Sequence, residues 1–233
     1  MWLLLLACKS KPPQAMPAYE GRLQEGDRPV ALVHPEQEGP MPALLLLGGY
    51  SWMSWELERW MGLAQHVDGF TLVLPSATLD KKNRPFWNAT DTCCDWYGSG
   101  VDDLGYLKGV MDGLPEATEW WVVGHSNGAF MGFALACHDE RVSHLVSIAG
   151  SEYLDPALCP ERRDIALLQI HGTDDDVMPY EGDDTAPGVE ELFERWGCPD
   201  ENCALWLIEG EDHYPDFTGD LTERIVRWLK TVV

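Results

Sequence analysis

Cations are scarce in this chain: 16 Lys plus Arg stand against 39 Asp plus Glu over 233 residues, a formal net charge of −23. A surface this acidic repels phosphate backbones and anionic headgroups, which disfavours nucleic-acid binding and leaves solubility as the plain role of the charge. Long apolar runs are lacking too. The run that starts at Trp2 and ends at Cys8 falls far short of the roughly 20 residues a membrane-crossing helix needs. No C-x-x-C pair occurs among the cysteines, which argues against a zinc site.

What is present begins with seven cysteines. Leu5-Leu6-Ala7-Cys8 is similar to the lipobox that closes a bacterial lipoprotein signal peptide, although no basic segment precedes it and its apolar stretch is short. On this reading residues 1–16 are a truncated lipoprotein-type signal segment and linker, Cys8 is a lipid anchor, and residues 17–233 form one exported domain, periplasmic, surface-bound or secreted. The other six cysteines, Cys93, Cys94, Cys137, Cys159, Cys198 and Cys203, are then expected in disulfides. Spacing leaves the pairing open, with Cys198 and Cys203, which enclose a turn-like segment, the first expected bridge.

Short apolar runs alternate with longer segments of helical period. Strands are expected at Arg28–His34, Ala43–Leu47, Phe70–Leu74, Trp120–Val123, Leu145–Ala149, Ala166–Ile170 and Ala204–Ile208. Helices are expected near Trp55–His66, Asp102–Gly113, Gly128–His138, Val189–Trp196 and Leu221–Lys230. That alternation predicts an α/β fold with a mostly parallel central sheet and helices on both faces, its chemistry just beyond the carboxyl ends of the strands.

One such strand runs directly into Gly124-His125-Ser126-Asn127-Gly128 and then into a small-residue helix. A nucleophile elbow needs this pattern, because the serine occupies a strained turn and side chains at either glycine would clash. Ser126 is therefore the candidate nucleophile. Its partners should follow in the order acid, then histidine. The acid is one of Asp174, Asp175 and Asp176, after the strand ending at Ile170, and His213 is the histidine that satisfies the order. His125 and His171 read as structural. The oxyanion donors are expected to be the backbone N–H groups of Asn127 and Tyr50, with Gly49 the next choice in the Gly48-Gly49-Tyr50 turn.

At this point the chain resembles a known group, the polyhydroxybutyrate depolymerase-like and feruloyl esterase-like α/β-hydrolases. The matching runs are Phe86 to Asp95, Val101 to Leu107, Gly124 to Gly128, and His171-Gly172-Thr173-x-Asp175-x-x-Met178-Pro179-Tyr180. The resemblance implies Asp175 as the acid, Asp102 and Asp103 as scaffold residues near the site, and ester hydrolysis without a metal or cofactor. Relatives usually carry His-Gly where this chain has Gly48-Gly49.

The expected substrates are small, aromatic-acyl or polymer-borne esters. Trp52 and Trp87, two of 11 tryptophans, lie in post-strand segments suited to lining a groove. Connections after Ala149 leave little room for a lid, so an open cleft is expected. Two other readings fit the same residues: a catalytically silent, surface-anchored ligand-binding homologue, and a thioesterase or peptidase using the same three side chains.

Overall fold

The computed structural model describes residues 21–25, 28–159, 165–198 and 202–232. The lipobox-like segment and Cys8 lie outside them. The expected apolar runs pair edge to edge in a sheet of eight strands. In chain order these strands are β1 (Gly21–Glu25), β2 (Arg28–Val33), β3 (Met41–Leu47), β4 (Thr71–Pro75), β7 (Ala117–His125), β8 (Val142–Ile148), β9 (Ala166–Gly172) and β10 (Cys203–Ile208). Their spatial order is β1-β2-β4-β3-β7-β8-β9-β10. β2 runs antiparallel to β1 and β4, and the other pairings are parallel. A separate hairpin of β5 (Thr78–Leu79) and β6 (Pro85–Phe86) stands above the sheet's carboxyl edge.

Five α-helices are found among the described residues: α1 (Ser54–Met61), α2 (Asp103–Asp112), α3 (Asn127–His138), α4 (Val189–Arg195) and α5 (Leu221–Thr231). Strand alternation sorts them into two layers. A Cβ placed on Gly132 of α3 would touch Val122 and Leu145, whereas the neighbouring Trp121 packs on His144, which meets Trp228 of α5 on the other face. α2 joins α3 through Lys108, whose Nζ donates to the His138 carbonyl, and α4 joins it through the Phe133–Trp196 ring contact. α1 joins α5 on the opposite face, where the Thr222 hydroxyl donates to the Met61 carbonyl at 2.6 Å. Central strands are therefore covered twice, and Leu44 to Leu47 are fully buried. No described helix is long and apolar enough to cross a membrane.

Helix α1 is shorter than its sequence suggests. Gly62 adopts the left-handed conformation at φ 73°, its N–H caps the Glu58 carbonyl, and the residues to His66 form a separate 3-10 turn. Among the described residues three disulfides form: Cys93–Cys94, Cys137–Cys159 and the expected local bridge Cys198–Cys203.

Candidate active site

β3 and β7 lie side by side with Leu47 opposite Gly124, so the turn after β3 and the turn after β7 emerge together. The second turn is tight. Ser126 sits at φ 51° and ψ −122°, and its N–H donates to the Ile148 carbonyl at 2.9 Å while its own carbonyl receives Ala129 at 2.8 Å. Any Cβ on Gly124 would collide with the Gly128 backbone, and any on Gly128 with the Leu47 carbonyl. Both glycines are demanded by contact, and they hold Ser126 at the start of α3 in a conformation few non-glycine residues adopt.

Three loops converge on this serine. His213, buried in the loop after β10, places Nε2 2.9 Å from Ser126 Oγ and Nδ1 2.9 Å and 3.2 Å from the two Asp175 oxygens. An Nδ1–H pointed at the carboxylate leaves Nε2 free to accept the serine proton. Asp175 is buried, whereas Asp174 and Asp176 are exposed, so the structure brings only the middle aspartate of the three to the histidine. The Val177 and Met178 amides also donate to Asp175 Oδ1, at 3.0 Å and 2.8 Å. Burial by itself would raise this carboxyl. The His213 hydrogen bond and charge, the Met178 amide and the nearby His171 ring outweigh it and hold the group below the ordinary carboxylate value.

The two histidines read as structural have identifiable tasks. His171 donates Nε2–H to the Met178 carbonyl at 2.7 Å and receives Gln169 on Nδ1 at 3.1 Å, which braces the acid loop. His125, fully buried, donates Nε2–H to the backbone carbonyl of His213 at 2.8 Å. Burial first, then the charge of His213, pushes its pKa down to about 3, so it stays neutral.

Among the described residues neither the Asn127 nor the Tyr50 backbone N–H has a hydrogen-bond partner, and the turn after β3 abuts the elbow, where a Cβ on Gly49 would lie 3.2 Å from Ser126 Cβ. The turn from Gly48 to Trp52 is clamped. Trp52 N–H donates to the Gly49 carbonyl, Ser51 N–H to Pro85 of β6, and the Tyr50 hydroxyl to Asp80 at 2.8 Å, with Arg84 packed on the Tyr50 ring. Burial and that hydrogen bond raise the Tyr50 hydroxyl above its ordinary value. Asp102 caps α2 by accepting Gly105 N–H, and the buried Asp103 receives Arg28, Thr78 and the Asn88 amide, tying β2, β5 and the loop after β6 together.

The two tryptophans part ways. Trp52 is half-buried and stacks on Tyr214 with centroids 6.0 Å apart. Trp87, expected in the groove, is instead fully buried, with Nε1 donating to the Gly48 carbonyl at 3.0 Å. An indole sealed in the interior offers a substrate no surface, so Trp87 supports the turn below the groove. Sequence reasoning also missed Tyr214, which packs edge-on to His213 and stacks on Trp52, and Trp60, which meets Trp52, Tyr214 and His125. An aromatic residue directly after the candidate histidine was the available signal. The group of three metal-type donors found among the described residues, Cys137, Glu152 and Cys159, has both sulfurs committed to a disulfide.

Solved structures share this architecture. TT1662 from Thermus thermophilus superposes with a TM-score of 0.66 at 20% identity, covering 90% of this chain and 95% of its own. ATU1826 from Agrobacterium tumefaciens, named as a "Putative Alpha/Beta Hydrolase", superposes with a TM-score of 0.59 at 15% identity, covering 90% and 94%. The fold is the α/β-hydrolase fold. Among curated proteins, "Putative esterase NocK" from Nocardia uniformis subsp. tsuyamanensis is 28% identical over 152 residues, 63% of this chain and 43% of its own length. "Probable feruloyl esterase C" from Aspergillus niger is 24% identical over 146 residues, 60% of this chain and 46% of its own. The match thus spans less than half the length of these curated relatives. No family model matches the chain.

Proposed function

We propose that this α/β-hydrolase is a serine carboxylic-ester hydrolase using Ser126 as nucleophile, His213 as general base and acid, and Asp175 as the group that orients the imidazole. The observation that carries the reading is the unbroken line from Asp175 Oδ2 to His213 Nδ1 and from His213 Nε2 to Ser126 Oγ, each step 2.9 Å. Ser126 Oγ attacks the ester carbonyl as its proton passes to Nε2. The oxyanion that forms is received by the free N–H groups of Asn127 and Tyr50, the first aided by the α3 dipole. His213 then protonates the departing alcohol, and water, activated by the same imidazole, releases the acid. These steps need neither metal nor organic cofactor.

The substrate range implied by the sequence resemblance is small, aromatic-acyl and polymer-borne esters, and the esterase names of the two curated relatives support ester chemistry. Three disulfides fit export to an oxidising compartment, with Cys8 as a lipid anchor. Turnover of p-nitrophenyl acetate and butyrate by purified protein tests the reading. Wild type hydrolyses both and is labelled by a fluorophosphonate probe; Ser126→Ala does neither. Unchanged turnover in Ser126→Ala, or a wild type that the probe does not label, overturns it.

A further inference from the structure

The reaction assigned above gives the two sides of Ser126 different partners. His213 must reach both Ser126 Oγ and the leaving oxygen, so the alcohol half of the ester departs on the His213 side. That side is walled by rings. Tyr214, 39% exposed, lies edge-on to the His213 imidazole with centroids 5.1 Å apart and stacks on Trp52 at an interplanar angle of 27°. Trp60 closes on both at 5.4 Å and 6.1 Å and is backed by Phe217 at 4.6 Å. Trp52 is also bonded into the turn that carries the Tyr50 N–H, so the wall runs from the oxyanion donor to the general base.

None of these four side chains is charged, and the exposed Asp212 and Asp216 flank Tyr214 in the same loop. Anions are repelled there, while a flat neutral face gains from packing on indole and phenol rings. We propose that this wall is a leaving-group subsite that selects esters whose alcohol half carries a neutral ring. The inference rests on the serine-esterase reading and concerns the half of the substrate opposite the acyl group.

Two isomeric esters separate the sides: benzyl acetate carries its ring on the alcohol, methyl phenylacetate on the acyl group. With butyl acetate as the ringless reference, kcat/KM is measured for wild type, Trp52→Leu and Tyr214→Leu. Wild type is expected to favour benzyl acetate over both other esters by about tenfold, and either substitution to lower the benzyl-to-phenylacetate ratio by about fivefold, chiefly through KM. Benzyl alcohol should inhibit wild type competitively and butanol about tenfold more weakly, a measurement that needs no variant to fold. Turnover of all three esters without preference for benzyl acetate, an unchanged ratio in a folded variant, or equal inhibition by the two alcohols overturns the subsite and leaves the esterase intact. Turnover of none of them, with no fluorophosphonate labelling, overturns both.

Discussion

The side-chain amide of Asn127 grips the backbone of Trp87 from both directions: Oδ1 accepts the Trp87 N–H at 2.7 Å, and Nδ2 donates to the Trp87 carbonyl at 2.9 Å. Nδ2 also lies 3.4 Å from Cys93 Sγ. The residue whose backbone N–H is the proposed oxyanion donor therefore uses its side chain to hold the loop that carries Trp87 and the Cys93–Cys94 bridge. Truncation leaves the Trp87 N–H without a partner, whereas the Trp87 carbonyl keeps the Cys94 N–H at 3.3 Å, so Asn127→Ala is expected to lower the unfolding free energy by about 1–3 kcal/mol in urea denaturation. A loss under about 1 kcal/mol would mean that the loop is held elsewhere.

Asp175 separates from its neighbours by burial. Asp175→Asn removes the carboxylate that fixes the His213 tautomer, so kcat for p-nitrophenyl acetate is expected to fall by roughly a thousandfold or more. Asp174→Asn and Asp176→Asn change exposed side chains and should stay within about twofold of wild type. Equal activity in all three variants would remove Asp175 from the mechanism.

The same contrast explains what the sequence revealed and what it hid. Doubly covered strands such as β3 were legible because burial on both faces favours a near-continuous apolar run, here Ala43 to Leu47. The order of Ser126, one of Asp174 to Asp176, and His213 was legible because chain order follows strand order in this fold, whereas the choice of Asp175 came from the resemblance alone. β1 was missed, since Gly21–Glu25 is a short edge strand without an apolar run, as were β5 and β6, each two residues long. Trp87 was misplaced because its position after a strand does not say whether an indole faces the groove or the interior. Its burial depends on partners 39 and 40 residues away, Gly48 and Asn127, that no local pattern announces.

His125 links stability to pH. In the folded protein its pKa lies at about 3 against an ordinary 6.5, so between those values the unfolded chain holds one proton more than the folded one. Its contribution is therefore complete above pH 6.5 and is lost as pH falls toward 3, by roughly 1 kcal/mol per pH unit. His125→Gln keeps an N–H donor for the His213 carbonyl but cannot titrate. Its unfolding free energy should decline less steeply than that of wild type between about pH 6.5 and pH 4; parallel declines would exclude His125 as the source.

The Cys137–Cys159 bridge joins the end of α3 to the segment after β8 across a sequence separation of 22, against 5 for Cys198–Cys203. Closing the longer loop restricts the unfolded chain more, a contribution of roughly 3 kcal/mol. The double variant Cys137→Ala/Cys159→Ala should accordingly lose more stability in urea than Cys198→Ala/Cys203→Ala. The reverse order would show that loop length does not govern these bridges.

Gly48 stands where the resembling esterases usually carry histidine, yet this chain has no room for that side chain. A Cβ there would come within 2.5 Å of the Trp52 carbonyl oxygen and 3.0 Å of the Met53 carbonyl, and the Gly48 carbonyl is already engaged by Trp87 Nε1. Both obstacles are backbone, so the Gly48–Trp52 turn itself must shift to admit Gly48→Ala or Gly48→His. The Tyr50 N–H lies in that turn. Displacing a single oxyanion donor lowers kcat by about a hundredfold in comparable sites, and both variants are expected to lose activity on that scale while Ser126 still reacts with a fluorophosphonate. Wild-type turnover in Gly48→His would mean that the turn relaxes without moving the donor, or that Tyr50 is not the donor. Comparing KM distinguishes these outcomes from simple loss of binding, because a donor that acts on the oxyanion affects the transition state more than the bound ester.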